Sequence, residues 1–410
     1  MDYKVVKYSE IGKVRSGKRL PKGYTVSEDV SDNKYIRVRD INNGSIDSSI
    51  VQYITDEAAE KLERYRVKTR DVIISVVGTV GAIAQIEESL NGAYLTENCD
   101  NLQVDESICL KDYLKYYLLS EDGSKEIIAN TVGSTQPKLP IYGIQNFNIK
   151  LPSIENQKRI VELLNSIDKK IKLNNEMNNN LFELLKINFK SIFYNKQAKD
   201  SYLADFISGT IGGDWGKDSP EGNNNTKVYC VRGADIPNME YGNKGNAPIR
   251  YILEKNYKNK KLDPNNIIIE ISGGSPTQST GRTAYITQSI LDMYDSPLLC
   301  TNFCRAIETK NEILAPFVYM NLKLMYEDNI FFNWENGTTG IKNLALNDML
   351  SNIEVKKPDE DDLKEYDLLF NSVMNKISHN SNENIKLEQL RNTLLPKLIN
   401  GEIELENIEI

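Results

Sequence analysis

The stretch that decides the fold is LLNSIDKKIKLNNEMNNNLFELLK, residues 163–186, because it recurs without a gap as LFNSVMNKISHNSNENIKLEQLR at residues 369–391. Apolar residues in both copies recur at spacings of three and four, which is the periodicity of an amphipathic helix. The shared register places Ile171 on Ile377. A repeat of this kind constrains the architecture before any local prediction is made. The sequence therefore predicts two related long helices.

The first helix is expected to begin after Ser153, which can cap it, and to run to about Asn195; at 1.5 Å per residue it is roughly 60 Å long. The second is expected to begin after Pro358. Asparagines interrupt both apolar stripes at the middle, and a buried polar residue in a coiled-coil seam costs stability but fixes register. We predict an antiparallel coiled coil, with packing of each helix on its own domain as the alternative. The residues predicted to pair are Ile160, Leu164, Ile167, Ile171, Asn174, Leu181, Phe370, Val373, Ile377, Asn380, Leu387 and Leu390.

The repeat extends over the rest of the chain. Paired in order are Ser16-Gly17 with Ser208-Gly209, Val38-Arg39 with Val231-Arg232, Gly78 with Gly273, Glu97-Asn98 with Thr301-Asn302, and the GST and GTT segments that begin at Gly133 and Gly337. The numbering offset between the two halves increases mainly between Arg232 and Asn302, which places the extra residues of the second half around 273–282. Loops that diverge on a repeated scaffold are expected where loops carry specificity.

The part of each half that precedes its helix is mixed and β-rich, since runs such as 71–78 and 266–272 are short, β-branched and bounded by turn residues. The predicted fold class is α+β, with two β-rich globular domains in pseudo-twofold repeat, joined and spaced by the two long helices. The expected division is a first domain at 1–152, a central helix at 153–199, a second domain at 200–357 and a C-terminal helix at 358–410.

Composition excludes several classes of protein. Fifty Lys and Arg against 58 Asp and Glu give a net charge of −8, which argues against coating nucleic acid through bulk charge but allows local patches. A single histidine, His379, cannot supply a His-based triad or a two-His metal site. The five cysteines lack a CxxC pair and indicate buried thiols of a cytosolic protein. No stretch approaches the ~18 apolar residues of a membrane helix, so we expect a cytoplasmic protein without a membrane partner.

The blocks LPSIENQKRIVELLNSIDKKIKLNNEMNNNL (151–181) and ENIKLEQLRNTLLPKLINGEIEL (383–405) resemble the two conserved helical regions of the specificity (S) subunit of type I restriction-modification systems. The resemblance covers the whole chain. It implies that each domain is a target-recognition domain that reads one half of a split, asymmetric site in double-stranded DNA. It also implies that the paired helices set the gap and dock two methyltransferase subunits, which the restriction/translocase subunits join.

The resemblance further implies a non-catalytic chain without a cofactor or metal of its own, with S-adenosylmethionine, ATP and Mg bound by the partner subunits. The residues agree, because no DPPY or NPPY tetrapeptide for holding a flipped base occurs. The closest approach to a nucleotide-binding loop, residues 12–19, has Arg19 where a Mg-binding Ser or Thr is required. The alternatives are a coiled-coil scaffold without DNA specificity and a stand-alone DNA-modifying enzyme.

Base edges are read by Arg or Lys at guanine, Asn or Gln at adenine, and Ser or Thr at either. In the first domain the candidates are Arg15, Lys18, Arg19, Arg37, Arg39, Ser134, Thr135, Gln136 and Lys138. In the second domain they are Trp215, Lys217, Arg232, Ser275, Thr277, Gln278, Ser279, Thr280, Arg282, Thr338, Thr339 and Lys342. Arg37 and Arg39 are expected on one face of a strand with Tyr35, and ion pairing with Asp40 or Asp71 is the alternative. For each single candidate, a solvated turn residue is the competing interpretation.

Overall fold

The chain divides into two compact units. The computed structural model describes residues 3–42, 44–194, 200–275, 278–337 and 341–403. Unit 1 consists of residues 1–169 with 387–410, and unit 2 consists of residues 170–386. Each unit therefore combines one globular domain with part of both long helices. Within the described ranges, no helix has the length and apolar character needed to cross a membrane.

Unit 1 is built on a four-stranded antiparallel sheet in the order β2-β10-β7-β8. Its strands are β1 (Lys4–Lys7), β2 (Gly12–Ser16), β3 (Lys34–Ile36), β4 (Ile41–Asn42), β5 (Ser45–Ile46), β6 (Gln52–Tyr53), β7 (Val72–Ser75), β8 (Ile83–Gln85), β9 (Tyr94–Leu95), β10 (Cys99–Val104) and β11 (Asn148–Leu151). Its helices are α1 (Tyr8–Ile11), α2 (Asp56–Leu62), α3 (Lys111–Leu119), α4 (Glu121–Asn130) and α5 (Ile141–Gln145).

Unit 2 repeats this sheet in the order β13-β20-β16-β18. Its strands are β12 (Ser201–Tyr202), β13 (Ile207–Gly212), β14 (Asn224–Val231), β15 (Ile249–Leu253), β16 (Ile267–Glu270), β17 (Ser272–Gly273), β18 (Thr283–Tyr285), β19 (Leu298–Cys300), β20 (Cys304–Thr309), β21 (Glu335–Asn336), β22 (Lys342–Leu344) and β23 (Glu354–Val355). Its shorter helices are α7 (Ile236–Glu240), α8 (Glu254–Lys260), α9 (Gln288–Asp292), α10 (Leu314–Glu327) and α11 (Leu346–Asn352).

The two long helices are α6 (Ile154–Phe189), which continues as a π-helical turn over Lys190–Tyr194, and α12 (Glu360–Ile399). Within unit 1, Ile160 and Leu164 of α6 share a core with Leu395 and Leu398 of α12. Within unit 2, the early part of α12 packs against the late part of α6. The predicted antiparallel pairing is confirmed in each unit, and both helices also pack on the globular cores. The predicted fold class is likewise confirmed.

Leu390 was the wrong choice as a pairing residue, because it is exposed. Arg391 turns inward instead and donates to Asp168 at 2.8 Å, so the face of α12 that meets α6 is displaced by one residue there. On α6 the buried face after the asparagines runs through Phe182, Leu185 and Phe189, whereas Leu181 is partly buried. Ile171 and Leu387 are also partly buried.

The repeat predicted from the sequence is real, but its register needs correction. Ile36 pairs in parallel with Leu95, and Val231 pairs in parallel with Cys300. Arg232 therefore corresponds to Arg37, and the predicted match of Val38-Arg39 with Val231-Arg232 is wrong by two positions. The error arose because IRVR contains the apolar-Arg dipeptide twice.

Backbone hydrogen bonds and strand register correct two further pairs in the predicted alignment. The N–H of Cys99 donates to the carbonyl of Thr96, and the N–H of Cys304 donates to that of Thr301. The predicted match of Glu97-Asn98 with Thr301-Asn302 is therefore wrong by one position. Register on the neighbouring strands makes Gly213, rather than Gly209, the equivalent of Gly17 in the repeat.

The extra length of the second half lies in two places. The N–H of Ser75 donates to the carbonyl of Ala82, and Glu270 donates likewise to Arg282, so the loop between them has six residues in unit 1 and eleven in unit 2. This confirms the predicted loop. A second insertion, which the sequence reasoning did not separate, contains α9.

Candidate nucleic-acid interface

At one end of the main sheet of unit 1, two segments predicted to bind DNA come together. Strands β2 and β7 end there, and β8 and β10 begin there. Segment 132–138 folds back through two backbone hydrogen bonds of 2.8 Å between Val132 and Lys138. It is tied to the β7–β8 turn because the N–H of Leu139 donates to the carbonyl of Val76 at 2.9 Å. We call this the loop end of unit 1.

The loop that follows β2, which contains the predicted contacts Lys18 and Arg19, reaches the same end. A Cβ atom on Gly17 would lie 2.0 Å from the carbonyl oxygen of Thr96, so only glycine permits this approach of two backbones. Gly213 repeats the feature in unit 2, where a Cβ would lie 1.9 Å from the carbonyl oxygen of Thr301. The approach presents Lys18, whose side chain is exposed, directly beside the turn that precedes β10.

Unit 2 has an equivalent loop end, where β13 and β16 end and β18 and β20 begin. Strand β17, inside loop 271–281, pairs with β22. The N–H of Leu344 also donates to the carbonyl of Ile271 at 2.9 Å. The long loop and the segment that contains the GTT repeat are thus joined, as their counterparts are in unit 1. Three predicted contacts lie outside the described residues, namely Thr277, Thr338 and Thr339.

A carboxylate clamps the two segments of this second loop end. Glu335 accepts hydrogen bonds from the N–H and the hydroxyl of Thr280, at 2.6 and 2.9 Å, and from Lys342 at 2.7 Å. Partial burial by itself raises the pKa of Glu335, but the bonds from Lys342 and Thr280 outweigh it and hold this pKa below its usual range. Ser279 and Thr280, both predicted to contact DNA, are buried, and Thr280 joins the two segments through its bonds to Glu335.

Several predicted cations are paired with carboxylates in this structure. The pairs are Arg19–Glu97 at 2.6 Å, Arg37–Asp40 at 3.0 Å, Arg232–Asp235 at 3.1 Å, Arg282–Glu270 at 2.6 Å and Lys342–Glu335 at 2.7 Å. They differ in burial, because the Arg19 side chain is 80% exposed whereas the carboxylates of Asp40 and Asp235 are buried. Exposed pairs contribute little to stability, but a buried carboxylate depends on its partner. Arg19 is therefore the member of this group that can exchange its partner for a phosphate at the lowest cost.

The predicted strand placement of Arg37 and Arg39 is wrong. Strand β3 stops at Ile36, and the chain curls into a 3₁₀ turn over Val38–Asp40. The cause is the Asp40 carboxylate, which accepts the backbone N–H of Arg37 at 2.8 Å. Ion pairing with Asp40, the stated alternative, is what the structure contains.

This arrangement recurs in unit 2 and has the same effect there. The N–H of Arg232 donates to Asp235 at 2.9 Å. Arg37 also donates to the carbonyl of Ile50 at 2.9 Å, and Arg232 donates to that of Asn246 at 2.8 Å. Each arginine thus fastens a following loop to the end of a strand.

The remaining predicted contacts at the two loop ends are mostly at the surface. Lys138 and its neighbours Ser134, Thr135 and Gln136 are exposed on the 132–138 turn. In unit 2, Trp215 is exposed, with the guanidinium of Arg250 4.2 Å from its ring centroid. Lys217 and Gln278 are exposed as well, and the backbone N–H of Gln278 donates to Ser275 at 3.0 Å.

Arg15 lies on β2, and it lines a basic cavity of about 260 Å³ in unit 1. The other charged residues that line this cavity are Arg66, Lys68, Lys111 and Asp71. Lys111 donates to Asp71 at 2.8 Å, and Arg66 pairs with Glu63 at 2.7 Å, so two of the four cations have carboxylate partners. Sequence reasoning missed these three lysine and arginine partners of Arg15, because they converge from separate segments.

The asparagines predicted at the helix seam form a buried ladder within unit 2. Asn174 donates to Asn384 at 2.8 Å, and Asn380 donates to Asn178 at 2.8 Å. Asn178 in turn donates to the hydroxyl of Ser381 at 3.2 Å. The amides satisfy one another across the two helices, which supports the expectation that they fix register.

A second polar contact between the helices, in unit 1, was missed. Asp168 of α6 accepts hydrogen bonds from Tyr116 of α3 at 2.7 Å and from Arg391 of α12 at 2.8 Å, and Lys115 lies 3.7 Å away. Burial lowers the pKa of Lys115, and Asp168 opposes that shift. The spacing of these residues in the sequence carries no signal for the cluster, since three elements supply it.

No group of three or more His, Cys, Asp or Glu side chains suited to a metal ion occurs in the part of the chain that the structure describes. What the two loop ends offer is a set of hydroxyl, amide and cationic groups at the end of a rigid sheet. Such groups contact phosphates and base edges.

Known proteins place these features in a family. The family model of the type I restriction modification DNA specificity domain matches residues 1–183 and again residues 195–389. The type I restriction enzyme HindI specificity subunit of Haemophilus influenzae is 20% identical over 413 residues, which cover 82% of this chain and 87% of that protein. The MjaVIII specificity subunit of Methanocaldococcus jannaschii is 26% identical over 179 residues, 42% of this chain. That match spans 41% of the MjaVIII subunit, less than half its length.

The fold resembles that of the S subunit of the type I restriction-modification system from M. genitalium. The TM-score is 0.54 at 14% sequence identity, over 97% of this chain and 96% of that one. The two family matches, one to each half, agree with the repeated sheet and repeated loop end. The chain belongs to the family of type I restriction modification DNA specificity domains, of which it carries two copies.

Proposed function

We propose that this chain is the non-catalytic DNA-recognition subunit of a type I restriction-modification complex. In this role each unit reads one half of a bipartite, asymmetric site in double-stranded DNA. The observation that carries the proposal is the repeated loop end. In each unit, two loops are fixed to the end of the main sheet at equivalent places, and the loops of unit 1 differ in sequence from those of unit 2. A repeated frame with divergent loops suits two related reading heads with different targets.

The paired helices have two tasks in this proposal. They set the gap between the half-sites and provide the surface on which two methyltransferase subunits dock, with restriction/translocase subunits completing the assembly. The domain limits of the proposal are residues 1–152 and 200–357, with the spacers at 153–199 and 358–410. The asparagine ladder supports a spacer role because a fixed register gives a fixed length.

The partners would supply the chemistry, with S-adenosylmethionine for methyl transfer and ATP with Mg for translocation and cleavage. They would also supply much of the grip on phosphate. Since the chain has a net charge of −8 and several candidate cations are already ion-paired, we expect it to bind DNA weakly alone.

The test is co-expression with an adenine methyltransferase subunit from the same system, followed by mapping of methylated adenines. The proposal expects copurification and methylation at a split sequence that disappears when this chain is omitted. Copurification with methylation that does not depend on sequence would favour a scaffold instead. Methylation by the pure chain would favour the stand-alone enzyme.

A further inference from the structure

We propose that Asn98 in unit 1 and Phe303 in unit 2 occupy one equivalent base-contacting position, and that this position helps each unit to read a different base. The inference rests on the proposed function and adds a specificity-determining residue to each reading head. Neither residue stands out in the sequence, because the predicted alignment of the two halves is wrong by one position here and does not pair Asn98 with Phe303.

The equivalence of the two positions follows from backbone contacts. The carbonyl of Asn98 accepts the N–H of Val76 at 2.8 Å, and the carbonyl of Phe303 accepts the N–H of Ile271 at 2.8 Å. Each donor follows the strand of the main sheet that leads into the variable loop. The next residue in the chain is in both cases a buried cysteine that begins the neighbouring strand, β10 or β20.

Both side chains are available to a ligand. The side chain of Phe303 is in the exposed class, with 53% of the residue accessible, although phenylalanine is usually buried. Asn98 is half-buried, and among the described residues its side-chain amide forms no hydrogen bond. An exposed ring and an unused amide at equivalent places are features that folding alone does not require.

The backbone that presents these side chains is held on both sides. On one side, Gly17 or Gly213 approaches the carbonyl of the threonine two residues earlier, at a distance that leaves no room for a Cβ. On the other side, the N–H groups of Ile271 and Ser272 both donate to Phe303, at 2.8 and 3.2 Å. Arg19, bonded to Glu97 at 2.6 Å, places an exposed cation next to Asn98, where a phosphate of the same DNA would lie. A fixed backbone is what precise base contact needs.

The chemistry assigns a different base preference to each side chain. The amide of asparagine matches the N6 and N7 groups of adenine in the major groove, whereas the ring of phenylalanine makes apolar contact with the methyl group of thymine. We therefore expect Asn98 to favour adenine at one position of one half-site. Phe303 favours thymine at one position of the other half-site.

The experiment maps methylated sequences in cells that contain the methyltransferase subunit and this chain with Asn98→Ala or Phe303→Ala. Each substitution is expected to relax one base-pair position in one half-site, by between about fivefold and about a hundredfold in preference. Phe303→Leu should keep most of the thymine preference, and Asn98→Asp should shift preference toward cytosine, whose N4 group donates to a carboxylate.

Matched controls lie at the opposite ends of the sheets. Asn146→Ala removes an exposed asparagine beside Lys7, and Tyr202→Ala removes an exposed ring before β13. Neither should alter the methylated sequence. Thermal melting of every purified variant identifies a variant that fails to fold, in which case the Leu or Asp exchange provides the test.

The outcomes separate the two levels of the proposal. If the unmodified chain directs no sequence-dependent methylation, the proposed function fails. If it does, and all substitutions at 98 and 303 leave the methylated sequence as unchanged as the controls do, the base-contact assignment is overturned. It is equally overturned if Asn98→Ala and Phe303→Ala change the same half-site.

Discussion

The buried asparagine ladder gives a quantitative prediction. Asn178→Ala removes an amide that is 1% exposed and leaves the amide of Asn380 without its acceptor, whereas the hydroxyl of Ser381 keeps its bond to the carbonyl of Tyr241 at 3.2 Å. A buried polar group without a partner costs about 1–3 kcal/mol, so we expect a loss of about 1–3 kcal/mol in the free energy of unfolding. Asn178→Leu with Asn380→Leu removes both amides and replaces them with apolar volume, so stability should return to within about 1 kcal/mol of the original.

The assay is urea-induced unfolding of the full chain followed by circular dichroism at the helical band. Asn179→Ala is the matched control, since Asn179 is exposed one position along the same helix. Equal shifts of the midpoint in Asn178→Ala and Asn179→Ala, or a double leucine variant as unstable as the single alanine variant, would show that the ladder does not stabilise the fold in this way. The double variant should also tolerate shifted pairing of the helices, detectable as a looser set of spacings between half-sites in the methylated DNA.

Three further predictions concern the clamps and the spacer. Arg37→Ala should lower the free energy of unfolding by about 3–5 kcal/mol, because the buried carboxylate of Asp40 loses its ion-pair partner at 3.0 Å. Arg39→Ala should change it by less than about 0.5 kcal/mol, because the Arg39 side chain is 65% exposed. Urea midpoints of both variants check this. Because the pKa of Glu335 is held below its ordinary value of 4.5, the ionised side chain stabilises the fold above pH 4.5, and this stabilisation is lost as the pH falls through the lowered pKa. Glu335→Gln should therefore make stability, measured by thermal melting, depend less on pH on the acid side. Inserting one or two helical turns after Ile171 should change the gap between half-sites but not their bases, and an altered half-site in the mapped methylation would mean that the helices take part in reading.

The long helices could be predicted because their signal is local and repeated. Period-3.6 apolar spacing and the asparagines at 174, 178, 380 and 384 lie within continuous stretches, so the pairing surface follows from the sequence itself. The exception, Leu390, shows the limit of that signal. Which face turns inward near the end of α12 is decided by Asp168 on another element, where Arg391 finds its partner.

The candidate interface could be predicted only in outline. Both loop ends contain the segments expected from the repeat, but the roles of single residues depend on partners distant in the sequence. Thr280 is bonded to Glu335, which lies 55 positions further along the chain. Arg37 leaves the strand because its backbone N–H donates to the carboxylate of Asp40. Asn98 and Phe303 were missed because their equivalence is set by backbone hydrogen bonds rather than by residue type.

Domain exchange separates the contributions of the two units to the methylated site. Residues 1–152 are replaced by the corresponding part of another specificity subunit with a known target, and methylated adenines are mapped with the methyltransferase subunit present. We expect one half of the methylated site to change to that of the donor, while the other half and the gap remain. A change in both halves, or in neither, would contradict the claim that the two units read DNA independently across a spacer of fixed length.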